Sequence, residues 1–380
     1  MKLSEFDYNL PKELIAQTPV NPRDHSRLLI LDPQKEKIQE TKFFNIINEL
    51  WENDVLVLNK TKVINARIHF PLENWKIWEI LLHKQLGEKT WDCLVYPWKK
   101  LKPWKEIKFY LEKEKINFWF SEWKLPESQS TIGWVFEWTK LNNSFFPILT
   151  AKIKDISEKW RIIEFNKWGL EFLEILEKIW EIPLPPYIKE KLDDPNRYQT
   201  IWAEKEGSAA APTASLHFTP ELLQKLQDKW VKIEKVLLHV GLGTFMPVNT
   251  DDIENHHMHS EYIELEEDVA NRLNQYKKQK KRIVAVWTTA IRVLESMSDK
   301  NWILHPWSKE TDIFIYPWYK WKFVDAIITN FHLPKSTLLM LVSSFAWKEF
   351  IKKAYNYAIK NKFRFFSFWD AMFIKNRKLD

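Results

Sequence analysis

Seven of the chain's ten histidines fall between His217 and His332. Six of the seven stand in short segments rich in small and hydroxyl-bearing residues: EGSAAAPTASLHF (206–218), LLHVGLGTF (237–245), HHMHSEY (256–262) and TNFHLPKST (329–337). Imidazole changes charge closest to neutral pH, so histidines grouped beside a carboxylate are suited to moving protons. His217, His259 and Glu261 are the candidates for that work. The dense set His256, His257, His259 and Glu261 also has the composition of a metal site. Its spacing is not that of a helical HExxH, however, and the single cysteine, Cys93, leaves no cysteine pair to complete a zinc site. No metal is expected. A nucleophile elbow and a Ser-His-Asp order are both missing, so covalent catalysis has no support.

Other segments supply groups that hold a substrate rather than react with it. Ser208 and Thr213 offer hydroxyls within a run of alanines, where backbone can approach a ligand closely. His239, Gly241 and Thr244 follow an apolar strand in a GxG that is compatible with nucleotide contact or with a bare turn. In AVWTTAIR, Thr288 and Thr289 open a helix whose free amides and hydroxyls suit an anion, with Arg292 one turn on. Asn330 and His332, and near the C-terminus Arg364 and Asp370, complete the candidates.

These residues need a scaffold that brings strand ends together. From Thr219 the chain alternates capped helix, strand VKIEKVLLHV, helix EEDVANRLNQYKKQKK, strand RIVAV, helix TTAIRVLESM, strands DIFIY and FVDAIITN, and helix KSTLLMLVSSFA. That alternation predicts an α/β fold with a mostly parallel sheet covered by helices, with ligands bound at the carboxyl ends of its strands. RLLILD and the wholly apolar DVLVLN, with a short helix around Phe44–Leu50, add strands from the first 66 residues. Between Ile68 and Phe165 the pattern changes to closely spaced extended segments without a helical run, which predicts an inserted all-β barrel. The domains are therefore 1–66 with 161–380, and 67–160. The GSAAAPTAS run, too poor in large apolar side chains for a core, reads as a surface loop.

The 380 residues include 28% charged and 45% hydrophobic positions and a net charge of +6, the profile of a slightly basic soluble enzyme. A signal peptide and a membrane span are not expected, and one cysteine fits a reducing, cytoplasmic setting. One feature of the composition stands apart. Glycine numbers 6 and tryptophan 22; together they come to about 7% of the chain, the share glycine alone usually has. Tryptophan also occupies glycine's places: after proline in turns (Trp98, Trp318), at helix ends (Trp180, Trp230) and at a strand-to-helix junction (Trp287). The pattern fits a gene whose UGA codons mean glycine, with each read as tryptophan; Trp91, Trp202 and Trp321 instead suit apolar faces.

PLPPYI, RYQTIWAEKEGSAAAPTASLHFT, LLHVGLGTFMPV, HHMHSEY, AVWTTAIRVLES, IFIYPWY, VDAIITNFHLPKSTLLMLVSSFA and RFFSFWDAMFI together resemble the S-adenosylmethionine:tRNA ribosyltransferase-isomerases of queuosine biosynthesis. The resemblance runs over nearly the whole chain, and tryptophan stands where that family is expected to have glycine at Trp98, Trp180, Trp230, Trp287, Trp318, Trp347 and Trp369. It implies transfer of the ribosyl part of S-adenosylmethionine to 7-aminomethyl-7-deazaguanine in tRNA, giving epoxyqueuosine and releasing adenine and methionine. It further implies an α/β domain with an inserted β-barrel, no permanently bound cofactor, S-adenosylmethionine as co-substrate, tRNA as partner, and a monomer. A metal-dependent hydrolase and an RNA-binding module without chemistry are the alternatives.

Overall fold

A computed structural model of the chain describes all residues except 65–66, 72–76, 97–100, 110–146, 158–159, 182–187, 189, 191, 193, 242–243, 245–247, 366–367, 369 and 377–380. WVFEW and most of the segment around it, Trp98 and Trp369 lie outside the described residues. The chain forms two compact units, Met1–Ile64 with Leu184–Asp380, and Asn65–Pro183.

The first unit begins with β1 (Arg27–Asp32), β2 (Lys37–Lys42), β3 (Asp54–Asn59) and β4 (Thr61–Val63). The second holds β5 (Arg67–Pro71), β6 (Ile77–Gln85), β7 (Thr90–Tyr96), β8 (Glu106–Phe109), β9 (Leu149–Ser157), β10 (Trp160–Phe165), helix α1 (Gly169–Ile179) and β11 (Trp180–Glu181). These strands make one antiparallel sheet in the order β11-β5-β6-β7-β10-β9-β8. Its extent corrects the expected boundary at 160: β10 pairs with both β7 and β9, and β11 pairs with β5, so the unit closes on itself only near residue 183.

The first unit resumes with β12 (Lys205–Ser208), α2 (Pro220–Asp228), β13 (Lys232–Leu238), β14 (Glu261–Leu265), α3 (Glu267–Lys278), β15 (Arg282–Val286), α4 (Trp287–Met297), β16 (Trp307–Thr311), β17 (Ala326–Asn330), α5 (Thr337–Ala346), α6 (Lys348–Lys360) and β18 (Ala371–Ile374). Nine strands form its main sheet, ordered β16-β14-β13-β3-β15-β17-β18-β1-β2. The parallel part is narrower than expected. β13, β3, β15 and β17 run parallel side by side, β14 runs against β13, and β18 runs against β17 but parallel to β1. DIFIY is not a strand; β16 lies just before it, and Ile313, Phe314 and Ile315 line a cleft instead of pairing. Phe43–Asn48 is a 3-10 helix.

Successive side chains of a strand face opposite ways, so a strand buried on both faces must be apolar throughout. All six residues of DVLVLN in β3 are buried. Leu56 and Leu58 join Val284, Val286, Ile328, Phe218, Leu222 and Leu226 in one core under α2. Pro220 at the first helical position and the Thr219 hydroxyl, which accepts the Leu222 amide at 3.1 Å, start that helix. The opposite face is covered by α4, which packs across β13, β3, β15 and β17.

Ten non-glycine residues adopt positive φ among those described, and six are tryptophans: Trp104, Trp230, Trp287, Trp302, Trp318 and Trp347, with φ between 50° and 81°. A Cβ in this region crowds the following carbonyl, at a cost of roughly 1–2 kcal/mol per residue. At the end of α2 the Trp230 amide bonds Gln227 O and the Val231 amide bonds Leu226 O, the pattern in which glycine is usual at the Trp230 position. Trp180, by contrast, is extended in β11. Trp202 and Trp321 are buried, with indole N–H groups donating to Asn59 O and Ser344 O.

Candidate active site

The parallel strands β13, β3, β15 and β17 end along one edge of the sheet, and the loops there define the candidate site. Segment 208–217 runs across that edge. The Ala209 amide donates to Val240 O beyond β13 at 2.9 Å, and the Thr213 hydroxyl donates to Asn330 Oδ1 at the end of β17 at 2.9 Å. His217 then reaches Ser26, just before β1. This segment is not the surface loop its composition suggests: every residue from Ser208 to Phe218 is buried. Small side chains leave no core of their own, but they let the backbone lie flat against the strand ends.

One cluster gathers around Glu261, the first residue of β14 and 3% exposed. Its Oε1 accepts the Gly241 amide at 2.9 Å and the Thr244 hydroxyl at 2.9 Å; its Oε2 pairs with Arg292 of α4. A carboxylate this deep is tolerable because its lone pairs are met by charged and neutral donors together. His259 Nε2 stands 3.4 Å from both Glu261 Oε1 and the Thr244 hydroxyl. Burial first, then the Arg292 charge, hold the imidazole at about 4, so it is neutral at physiological pH. Burial also lowers Arg292 to about 10, against the opposing pull of Asp312, and the guanidinium stays cationic. A shallow cleft opens beside this cluster, lined by Thr244, Met258, His259, Arg292, Phe314 and Leu341 among others. The Thr289 hydroxyl and Arg292 Nε, both buried, have no hydrogen-bond partner among the described residues. Neither threonine caps α4, whose N-cap residue is Val286; Thr288 is simply buried in the first turn.

A second cluster centres on His217. Asn330 Nδ2 contacts His217 Nε2 at 3.1 Å while Asn330 Oδ1 accepts from Thr213. With the amide oriented by Thr213, Nε2 accepts and Nδ1 carries the proton toward Ser26 Oγ, 2.9 Å away. Burial lowers His217 to about 3 against a hydrogen bond to the Arg23 backbone that raises it, and the Arg364 and Arg23 charges lower it further. Both ring nitrogens are engaged inside the protein, and His217 also lines a second cleft with Arg23 and Ser26.

Several candidates sit in structural bonds. His239 shares a bond of 2.8 Å with Thr61, stacks on Tyr262, and packs against Gly207, where an added Cβ would lie 2.8 Å from the ring. The Ser208 hydroxyl accepts the Val240 amide and donates to Ala210 O. His332 points inward to Thr329, away from the candidate clefts. The Asp370 carboxylate accepts the amides of Arg27 and Arg364, and the Arg364 guanidinium donates to Thr18 O. Cys93 is buried, and burial pushes its thiol up, away from nucleophilic character. Among the described residues no group of three or more His, Cys, Asp or Glu converges as metal ligands.

Sequence reasoning missed Asn59, Thr61, Arg23, Ser26 and Arg197. Asn59 ends β3 and Thr61 opens β4 two residues on, within reach of the same strand-end rule: Asn59 Oδ1 accepts the Thr61 and Leu238 amides. Ser26 and Arg23 precede a strand, where that rule does not look. Arg197 lies in an irregular stretch with no periodic signal.

A nine-stranded mixed sheet with helices, a separate antiparallel sheet, and a histidine–carboxylate–arginine cluster at the strand ends define an α/β protein with an enzyme-like cleft. Residues 3–374 match the family model described as queuosine biosynthesis protein, and the chain belongs to that family. It is 46% identical over 375 residues to the S-adenosylmethionine:tRNA ribosyltransferase-isomerase of Carboxydothermus hydrogenoformans, covering 98% of this chain and all of that one. The proteins of the same name from Acetivibrio thermocellus and Natranaerobius thermophilus are 46% and 43% identical, each across 99% of this chain and 100% of the relative. The crystal structure of the S-adenosylmethionine tRNA ribosyltransferase of Thermotoga maritima matches with a TM-score of 0.50 at 34% identity, over 98% of this chain and 100% of that one.

Proposed function

We propose that this chain is an S-adenosylmethionine:tRNA ribosyltransferase-isomerase. It moves the ribosyl part of S-adenosylmethionine onto the aminomethyl group of 7-aminomethyl-7-deazaguanine in tRNA, giving epoxyqueuosine-tRNA and releasing adenine and methionine. End-to-end likeness to relatives of that name, at 46% identity, carries the reading. The protein acts as a cytoplasmic monomer with no permanently bound cofactor, and the second unit is a curled barrel-like insert.

The reaction needs a base for a proton beside the sulfonium, an acid to help adenine leave, and donors that fix the ribose and the methionine end. His259 is the proton-transfer residue of the cleft. It is neutral, 28% exposed, and set by Glu261 and Thr244. Glu261 and Arg292 are positioning residues, each buried by the other, and the Arg292 guanidinium, which lines the cleft, meets the polar end of S-adenosylmethionine. Apolar lining from Phe314 and Leu341 excludes water around the sulfonium. His217, Thr213 and Asn330 hold segment 208–217 in place as the wall between the two clusters. Incubation with precursor-modified tRNA and S-adenosylmethionine tests the reading through released adenine. A hydrolase or a purely RNA-binding protein would release none, and that result would overturn it.

A further inference from the structure

A second, shallow cleft is lined by His217 with Val20, Arg23, Ser26, Arg197 and Phe368. Two guanidiniums, Arg23 and Arg197, line it, and a third, Arg364, is bonded to the lining residue Phe368; backbone carbonyls and an amide oxygen are their partners. Arg23 donates to Gln199 O and Asn196 O, both at 2.8 Å; Arg197 donates to Val20 O and Asn21 Oδ1; Arg364 donates to Thr18 O at 2.7 Å and to Phe368 O. None of the three forms an ion pair among the described residues. The carboxylates that face them are turned elsewhere: Asp194 accepts the Asn196 amide, and both oxygens of Asp370 accept main-chain amides.

Like charges gathered in a half-buried cleft repel one another, and desolvation adds to the cost. Burial followed by the Arg197 charge lowers the Arg23 pKa. Carbonyl partners rigidify the guanidiniums without neutralising them, and Arg197 Nε is buried with no hydrogen-bond partner among the described residues. The floor of the cleft adds a donor: with His217 Nδ1 protonated toward Ser26 Oγ, the serine hydroxyl proton is left to point at a ligand. Planar guanidinium forks, several positive charges and a hydroxyl together match the oxygens of a phosphate better than the single charge of a carboxylate.

We propose that this cleft binds a backbone phosphate of the RNA substrate, so that Arg23, Arg197 and Arg364 anchor the tRNA strand beside the wall that His217 holds. The assignment rests on the reading of the chain as a tRNA-modifying enzyme. Binding of precursor-modified tRNA to Arg197→Gln, measured by fluorescence anisotropy over a series of salt concentrations, tests it beside the KM for S-adenosylmethionine. Affinity is expected to fall about tenfold, and the salt slope to become shallower by about 0.7–0.9, with the KM for S-adenosylmethionine unchanged. Arg364→Gln carries the same test if Arg197→Gln loses its melting transition. Unchanged tRNA binding with a raised KM for S-adenosylmethionine would give the cleft to the methionine carboxylate, and no change in either would leave it without an anion; both overturn the proposal. Adenine release by the unsubstituted enzyme separates failure of this inference from failure of the functional reading.

Discussion

Trp318→Gly is expected to stabilise the protein. Tyr316, Pro317, Trp318 and Tyr319 form a turn closed by the Tyr319 amide on Tyr316 O at 3.0 Å, with Trp318 at φ 81°. Proline followed by a residue of positive φ is the signature of a type II turn, whose third position favours glycine. The Cβ of Trp318 costs roughly 1–2 kcal/mol there. Little is gained in return, because the side chain is 87% exposed. The surface it does cover, taken as roughly 30 Å2 at about 25 cal/mol per Å2, is worth under about 1 kcal/mol. The net gain is about 1 kcal/mol, or about 2–4 °C in Tm. Urea unfolding followed by circular dichroism measures it free of the lost indole fluorescence. Trp202→Gly provides the contrast: its indole is 7% exposed and bonded to Asn59 O, and its removal should cost about 3–5 kcal/mol. A Trp318→Gly protein less stable than the parent would refute the argument that these tryptophans occupy glycine's conformation. Intact mass of the protein from its native organism extends the test, with glycine expected at 104, 230, 287, 302, 318 and 347.

Glu261→Gln strands the Arg292 charge in a buried site and should lower stability by about 3–5 kcal/mol; an Arg292→Met change in the same chain should recover part of that loss in a double-mutant cycle. Gly207→Ala drives a Cβ against the His239 ring at φ 142°, and a loss of about 1–3 kcal/mol with a displaced His239 resonance is expected. His259→Asn should reduce adenine release by about 10²- to 10⁴-fold with melting unchanged; full turnover would remove His259 from proton transfer. His217 and His332 titrate near 3 in the fold against an ordinary 6.5. The unfolded chain therefore binds protons that the fold refuses. Stability is complete above pH 6.5 and declines below it by about 1.4 kcal/mol per pH unit for each histidine, which a urea midpoint identical at pH 7 and pH 5 would disprove.

The sheet-and-helix alternation after Thr219 was legible because period and capping are local properties: Thr219-Pro220 starts α2, and the RIVAV strand leads straight into α4. Strand direction was not legible. β18 inserts between β17 and β1, a pairing across more than 300 residues that no local pattern encodes. The end of the second unit was missed for a related reason, since GLEFLEILEKIW reads as a return to the helical part of the chain until β11 is seen to pair with β5. At the candidate site, His259 and Glu261 stood out because charge and spacing lie within one heptapeptide. Arg292 was nameable, but its bond to Glu261 depends on how α4 crosses β14. His217 and His332 illustrate the opposite limit: sequence shows a histidine, while burial and its partners decide whether it reacts or merely holds the chain.

The place of β18 also sets the order in which the molecule can be finished. β1 has only β2 and β18 as sheet neighbours, so the first hairpin has no route into the main sheet until residues 371–374 have been made. At roughly 5–20 residues per second, synthesis leaves the LLIL core of β1 waiting some 20–70 s. Ser26 and Asp370, which flank these two strands, are joined to the His217 cluster only at that last step. A nascent chain stalled short of Ala371 would therefore carry an unsatisfied apolar hairpin, open to chaperones and to misassembly, and a shortened C-terminus should undo the N-terminal end of the protein first.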